Sequence, residues 1–168
     1  MKHKQKTILF CVLFLLSLIL TIWNNTHNEK APIIAPEEPK MARTEDFSDK
    51  RYIAQLVNEY ADYYGVSRKT LHLVVANESM YNYKLKAAND GRTGCHAYGL
   101  SQLNTCYMGK GMSMTDMTNP HFALDVMARK IAQGQGRNWT AYRVCIQGEI
   151  IIYKGKQIKC DTSKVITV

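Results

Sequence analysis

The sequence has no Gly-rich phosphate loop, no His-x-x-x-His or Cys-x-x-Cys pair, and no stripe of clustered lysine and arginine. The first absence removes the usual cradle for a nucleotide's phosphates. The second argues against zinc chemistry, since His72, His96 and His121 are dispersed along the chain. No metal and no cofactor is expected. The third counts against nucleic acid as a partner: the net charge is +8, but the cations are scattered singly. A Cys/His nucleophile made from Cys95 and His96 is equally poor, because neighbours in sequence rarely face each other. Proline is scarce as well. Of four in the chain, Pro32, Pro36 and Pro39 fall close together and only Pro120 lies beyond them. No internal repeat is visible.

Thr7 to Trp23 form an uncharged, mostly apolar run preceded by Lys2, Lys4 and Lys6, the pattern of an export signal. Its length is close to the roughly 17 to 25 residues that span a bilayer, and Trp23 sits where an interfacial aromatic would. The following Asn24-Asn25-Thr26-His27 offers no small-x-small cleavage site. Residues 1–23 are therefore read as a retained transmembrane anchor, with a cleaved signal as the alternative. The lysines stay inside, which gives a single-pass inner-membrane protein with its domain in the periplasm. Cys11, early in the run and after Phe10, reads as a small apolar residue rather than a lipidation site.

Residues 24–47 hold three of the prolines among charges and little apolar periodicity, so they read as an extended tether. What remains, 48–168, suits one compact domain. Hydrophobic residues at 46% and charged ones at 21% fit a globular chain rather than a disordered one. With the three N-terminal lysines set aside, the exported part keeps a charge of +5. A basic surface on an exported chain suits an anionic wall polymer. Cys95, Cys106, Cys145 and Cys160 are an even number in that part, which suggests disulfides. Proximity makes Cys95 with Cys106 and Cys145 with Cys160 the simplest of three connectivities, and the sequence does not choose among them.

Ile53, Leu56, Val57 and Tyr60 recur at helical spacing over 49–64, with Ser48 as cap and Gly65 as stop. Ser67 caps the next helix, whose stripe runs Leu71, Val74, Val75, Glu78. Gly, Asn and Asp enrich the segment 82–106, which predicts a loop around Asn89-Asp90-Gly91 and then a short helix near Gly99-Leu100-Ser101-Gln102. Asn119-Pro120 opens a further helix carrying Leu124, Met127, Ala128 and Ile131 up to Gly134. A brief helical piece starts at Asn138, and 150–160 reads as a small β-hairpin.

Glu78 occupies the fourth position of an apolar stripe. Glutamates on helices mostly sit on the wet face, so this one is either paired structurally or kept for chemistry. Loss of solvent and the negative end of the helix dipole both disfavour its charged form. An acid that stays protonated near neutral pH is what glycosidic cleavage needs, because the leaving oxygen must receive a proton.

Glu78-Ser79 at a helix end, then Ala97-Tyr98-Gly99-Leu100-Ser101-Gln102-Leu103, then Asn119-Pro120, resembles the soluble lytic transglycosylase domain of the lysozyme-like superfamily. The likeness covers roughly residues 52–142. It implies a mainly α, lysozyme-like (α+β) fold: a compact helical domain, here with a small C-terminal β-hairpin. It also implies that Glu78 is the sole catalytic carboxyl group, acting first as acid and then as base. The substrate implied is the bond between N-acetylmuramic acid and N-acetylglucosamine in peptidoglycan, cut with closure of a 1,6-anhydro ring. Gln102 is carried over as a substrate-binding residue, and Tyr98, Ser79 and Tyr142 as residues at the glycan cleft. The fit is incomplete. Thr93, His96 and Ser101 stand where the family often has Ser, Gly and Met, and Arg143-Val144-Cys145 replaces its Asn-x-Gly, leaving the role of Arg143 open.

Two rival readings stay open. A lysozyme-type hydrolase would use Asp90 as a second carboxylate beside Glu78, although the turn Asn89-Asp90-Gly91 accounts for Asp90 without chemistry. A non-catalytic wall-binding or assembly module would keep the fold alone, against which an intact Glu78 argues. Asn24, Asn77 and Asn138 match the glycosylation pattern by chance. Local wall opening for a secretion or conjugation machine, a pilus or a phage is the setting that a small tethered enzyme suggests.

Overall fold

The computed structural model describes residues 45–87 and 94–168. The expected anchor, nearly all of the tether, and Asp90 lie outside them. Among the described residues no helix is long and apolar enough to cross a membrane.

The first helix, α1, spans Lys50–Tyr64. Its cap is Asp49, whose carboxylate accepts the Arg51 N–H, one residue later than the Ser48 expected. Ser48 gives its hydroxyl to Asp46 instead. Gly65 ends α1 at φ +65°, and its N–H reaches the carbonyls of Ala61 and Asp62; glycine takes this left-handed cap without a Cβ penalty. The second helix, α2, is Arg68–Ser79, with Ser67 as N-cap in agreement with its sequence signal. The stripes of the two helices meet: Ile53, Leu56, Val57, Leu71, Val74 and Val75 are all buried in one core.

A short helix α3 (Met114–Thr118) leads into α4 (Pro120–Ala132). The Asn119 side chain accepts from both His121 and Phe122 N–H groups, and proline follows it where no N–H is needed. After a 3-10 turn at Gly136–Asn138 comes α5, Thr140–Cys145. Helix α1 packs against α2 and α4, and α2 packs also against α5.

The short helix expected near 97–103 is not there. In its place are two-residue strands in an antiparallel sheet of order β1-β2-β3, with β1 at Lys86–Ala87, β2 at Ala97–Tyr98 and β3 at Leu103–Asn104. The reason is backbone geometry. Gly99 and Gln102 lie at φ +72° and +46°, which a right-handed helix excludes, and Gln102 N–H closes the turn on Gly99 O. Gly99 also rests on the Met117 carbonyl, which any Cβ there would overlap.

The C-terminal hairpin is present, with β4 at Ile151–Tyr153 and β5 at Lys156–Ile158. Lys154 and Gly155 both have positive φ at its turn, the pairing that matches strand twist. Disulfides join Cys95 to Cys106 and Cys145 to Cys160. At the other end Phe47 packs its ring near those of Tyr52, Tyr83 and His121, so the packed domain begins slightly before residue 48. The whole is a helix-rich domain carrying a small hairpin.

Candidate active site

Glu78 lies in the last turn of α2, and the chain leaves that turn abruptly. Met80 and Tyr81 both adopt left-handed φ values, 53° and 60°, at a cost of about 1–2 kcal/mol for each non-glycine residue. Tyr81 is held there by its side chain. Its ring is 2% exposed, its hydroxyl shares a hydrogen bond with His72 Nδ1 at 2.7 Å, and it accepts the Ile166 N–H at 3.3 Å. His72 completes the chain by giving Nε2–H to Asn58 Oδ1 at 2.9 Å. In the neutral imidazole, with Nε2–H on Asn58, Nδ1 accepts from the Tyr81 hydroxyl. Burial, with the nearby Arg68 charge, lowers the His72 pKa accordingly.

The carboxyl of Glu78 faces a cleft with two lobes, of about 520 Å³ and about 480 Å³. Glu78, Gln102, Ala87 and Thr140 line both, so they form its waist. The first lobe is walled by Asn104, Tyr107, Met108, Arg137 and Asn138. The second is walled by Asn77, Val144, Tyr153, Ile158, Lys159 and Lys164. Among the described residues lining either lobe, Glu78 is the only carboxylic acid.

Glu78 Oε1 accepts the Ala141 backbone N–H at 2.9 Å, from the first turn of α5. Burial raises the carboxyl's pKa, and the N–H bond opposes this without overcoming it. The group is thereby biased toward the protonated acid. Such an acid can donate to a leaving oxygen and, once ionised, take a proton back.

Gln102 is the predicted residue that the fold brings beside Glu78. Its amide nitrogen donates to Gly99 O at 2.9 Å and to Leu85 O at 3.4 Å, which fixes the amide. The remaining expectations place differently. Ser79 is 1% exposed and gives its hydroxyl to Val75 O within α2, so it neither caps the helix nor lines a lobe. Ala97 of β2 lines the first lobe, and strand alternation sends the next residue, Tyr98, to the other face. There Tyr98 lies beneath Lys86 Nζ, 5.6 Å from its ring centre. Tyr142 packs its ring over Gly136, where a Cβ would come within 2.6 Å of it, and it lines neither lobe. Arg143 pairs with Glu149 at 2.8 Å, and Arg137 pairs with the same carboxylate at 2.7 Å.

Sequence reasoning missed the segment 137–140 as a cleft wall. The signal was Trp139. Its indole is 3% exposed and donates to Ser101 O at 2.7 Å, while the Ser101 hydroxyl binds Ala123 O on α4. One tryptophan thus fastens the turn bearing Gln102 to the start of α5, where Thr140 and Ala141 lie. Among the described residues no cluster of three His, Cys, Asp or Glu side chains could hold a metal ion. No protein-family model, no curated protein and no solved structure matches this chain.

Proposed function

We propose that this domain is a lytic transglycosylase of the lysozyme-like superfamily, cutting the bond between N-acetylmuramic acid and N-acetylglucosamine in peptidoglycan. The observation that carries the reading is a desolvated carboxyl group, the one acid among the described lining residues, at the waist of a two-lobed cleft. A glycan strand laid through both lobes puts a glycosidic bond over Glu78, with sugars on either side.

The protonated Glu78 gives its proton to the departing glycosidic oxygen as the bond to the muramoyl C1 breaks. The carboxylate so formed then takes the proton of the muramoyl C6 hydroxyl, whose oxygen closes on C1 as the 1,6-anhydro ring. Glu78 ends protonated, and no water is consumed. Ala141 N–H steadies the carboxylate between the two steps, since a charge-assisted bond is strongest to the ionised form. Gln102 orients the sugar at the waist. A hydrolase would need a second carboxylate to activate water or to attack C1; its candidate, Asp90, lies outside the described residues. An N-terminal membrane anchor and tether would hold the domain in the periplasm, against its insoluble substrate.

The test is mass spectrometry of purified sacculi digested with the exported domain and with its Glu78→Gln form. Anhydro-ended muropeptides that disappear in the variant support the lyase. Reducing ends alone would make the enzyme a hydrolase, and no product from either would overturn the enzymatic reading.

A further inference from the structure

Among the described residues the second lobe is lined by two cations, Lys159 and Lys164, and the first by one, Arg137, which shares the Glu149 carboxylate with Arg143. Lys164 has Asp161 as a neighbour at 3.8 Å, the outer limit of an ion pair. Ser163 occupies the other carboxylate oxygen, Oδ1, which accepts its N–H at 3.0 Å and its hydroxyl at 2.6 Å, while Oδ2 faces Lys164.

The segment bearing these lysines is built into the site. Asn77, next to Glu78 in sequence, grips the Asp161 backbone in both directions, giving Nδ2–H to its carbonyl at 3.2 Å and accepting its N–H at 2.9 Å. The Cys145–Cys160 disulfide ties the same stretch to α5, whose Ala141 holds the Glu78 carboxyl. The backbone of this wall is therefore tied to the helices that carry and hold the acid. Tyr153 and Ile158 beside the lysines give the lobe an apolar face.

We infer that this lobe is a carboxylate subsite, in which Lys159 and Lys164 hold acidic groups of a peptide carried by the glycan. The inference rests on the peptidoglycan reading of the cleft. Sugar rings offer hydroxyl and acetamide groups, for which two lysines on one wall have no special use, whereas a peptide substituent carries carboxylates. Lysine suits such a ligand. Its flexible, single-point ammonium follows a mobile carboxylate, where arginine would demand a planar, bidentate fit. The aliphatic parts of the peptide would lie on Tyr153 and Ile158.

The experiment measures binding rather than cleavage, so it stands whatever the chemistry at Glu78. A disaccharide-tetrapeptide and the same compound with its carboxylates amidated are titrated calorimetrically into the exported domain. The parent protein is compared with Lys159→Glu/Lys164→Glu and with a control pair, Lys50→Glu/Lys69→Glu, that alters the net charge equally at positions lining neither lobe. The acidic ligand is expected to bind about tenfold more tightly than the amidated one, the size of one charge-assisted hydrogen bond. That gap disappears in the cleft pair and persists in the control pair. Equal binding of the two ligands, a gap that survives the cleft substitutions, or no binding of either ligand overturns the inference. Anhydro products from sacculi alongside any of these results would leave the transglycosylase reading standing.

Discussion

The backbone N–H of Ala141 donates to Oε1 of Glu78 at 2.9 Å, joining the last turn of α2 to the first turn of α5. The bond favours the ionised carboxylate, and burial of the same group favours the neutral acid. Burial is the larger effect, so the pKa moves up. The balance suits a residue that must give a proton and then wait as an anion, because the N–H is already in place for the second state.

Glu78→Gln separates chemistry from architecture. The glutamine carbonyl can still accept the Ala141 N–H, so the fold is expected to persist while cleavage falls by about 10²–10⁴, the usual worth of a general acid. Stability should change in the opposite sense. The folded protein holds the Glu78 proton more tightly than the unfolded chain, whose carboxyl has the ordinary value of 4.5. Wild-type stability therefore declines as pH rises from that value through the raised one, and glutamine has no such loss. Melting curves at pH 5 and pH 8 should show the variant's advantage widening with pH, and a gap that is flat or reversed would contradict it.

The rate of cleavage should depend on the same proton. In the proposed mechanism the acid form acts at bond breaking, so activity should hold as pH rises past 4.5 and fall only above the raised value. Initial rates on soluble glycan strands across pH 4 to 9 would check this. A descending limb at the ordinary carboxylate position would mean that Glu78 is not desolvated in the working enzyme.

How much of this was legible beforehand depends on the kind of signal. Helix α4 was readable from Asn119 and Pro120, because a cap and a fixed φ act within a few residues. Glu78 stood out for a similar reason, as a charge on an apolar stripe. The turn at 99–102 was misread as helix: Leu100 and Leu103 are buried as a helical pattern would have them, but Gly99 and Gln102 take positive φ under tertiary constraint. A non-glycine residue with φ +46° leaves no mark in composition. Tyr98 and Tyr142 show the other limit. Aromatic residues serve cores and clefts equally well, and which face Tyr98 occupies follows from the register of a two-residue strand. The Asn77 clamp on Asp161 spans 84 positions, and no local pattern announces it.

The Cys145–Cys160 disulfide closes a separation of 15 residues, and losing a constraint of that size costs about 3 kcal/mol by loop entropy. Replacing both cysteines by serine should lower the melting temperature by about 10 °C in a domain of this size. The effect should also reach the site, since the freed stretch includes Asp161 and Ile166, which hold Asn77 and Tyr81. Hydrogen exchange would check this. Faster exchange is expected at residues 160–166 and at the end of α2, with α4 unchanged, and uniform acceleration would indicate global destabilisation without local coupling.

His72 predicts how the domain responds to acid. Its imidazole is 6% exposed and bonds Tyr81 through Nδ1 and Asn58 through Nε2, and burial favours its neutral form. The folded pKa lies below the ordinary value of 6.5. The unfolded chain therefore takes up a proton first as pH falls, and the stabilisation present above 6.5 is lost progressively toward the depressed folded value. His72→Gln keeps a hydrogen-bonding side chain that does not titrate in this range. At pH 7.5 the variant should melt below the wild type, because the glutamine amide replaces the imidazole imperfectly between Tyr81 and Asn58. At pH 5 the two should converge. Tyr81→Phe gives a second view of the same lock: removing the hydroxyl leaves His72 Nδ1 without its donor and the Ile166 N–H without its acceptor, a loss of about 1–3 kcal/mol. With Met80 and Tyr81 less firmly held in their left-handed turn, the end of α2 loosens and cleavage slows, although Tyr81 touches neither lobe of the cleft. A Tyr81→Phe protein that melts early but cuts at the wild-type rate would show that the turn after Glu78 has no part in positioning it.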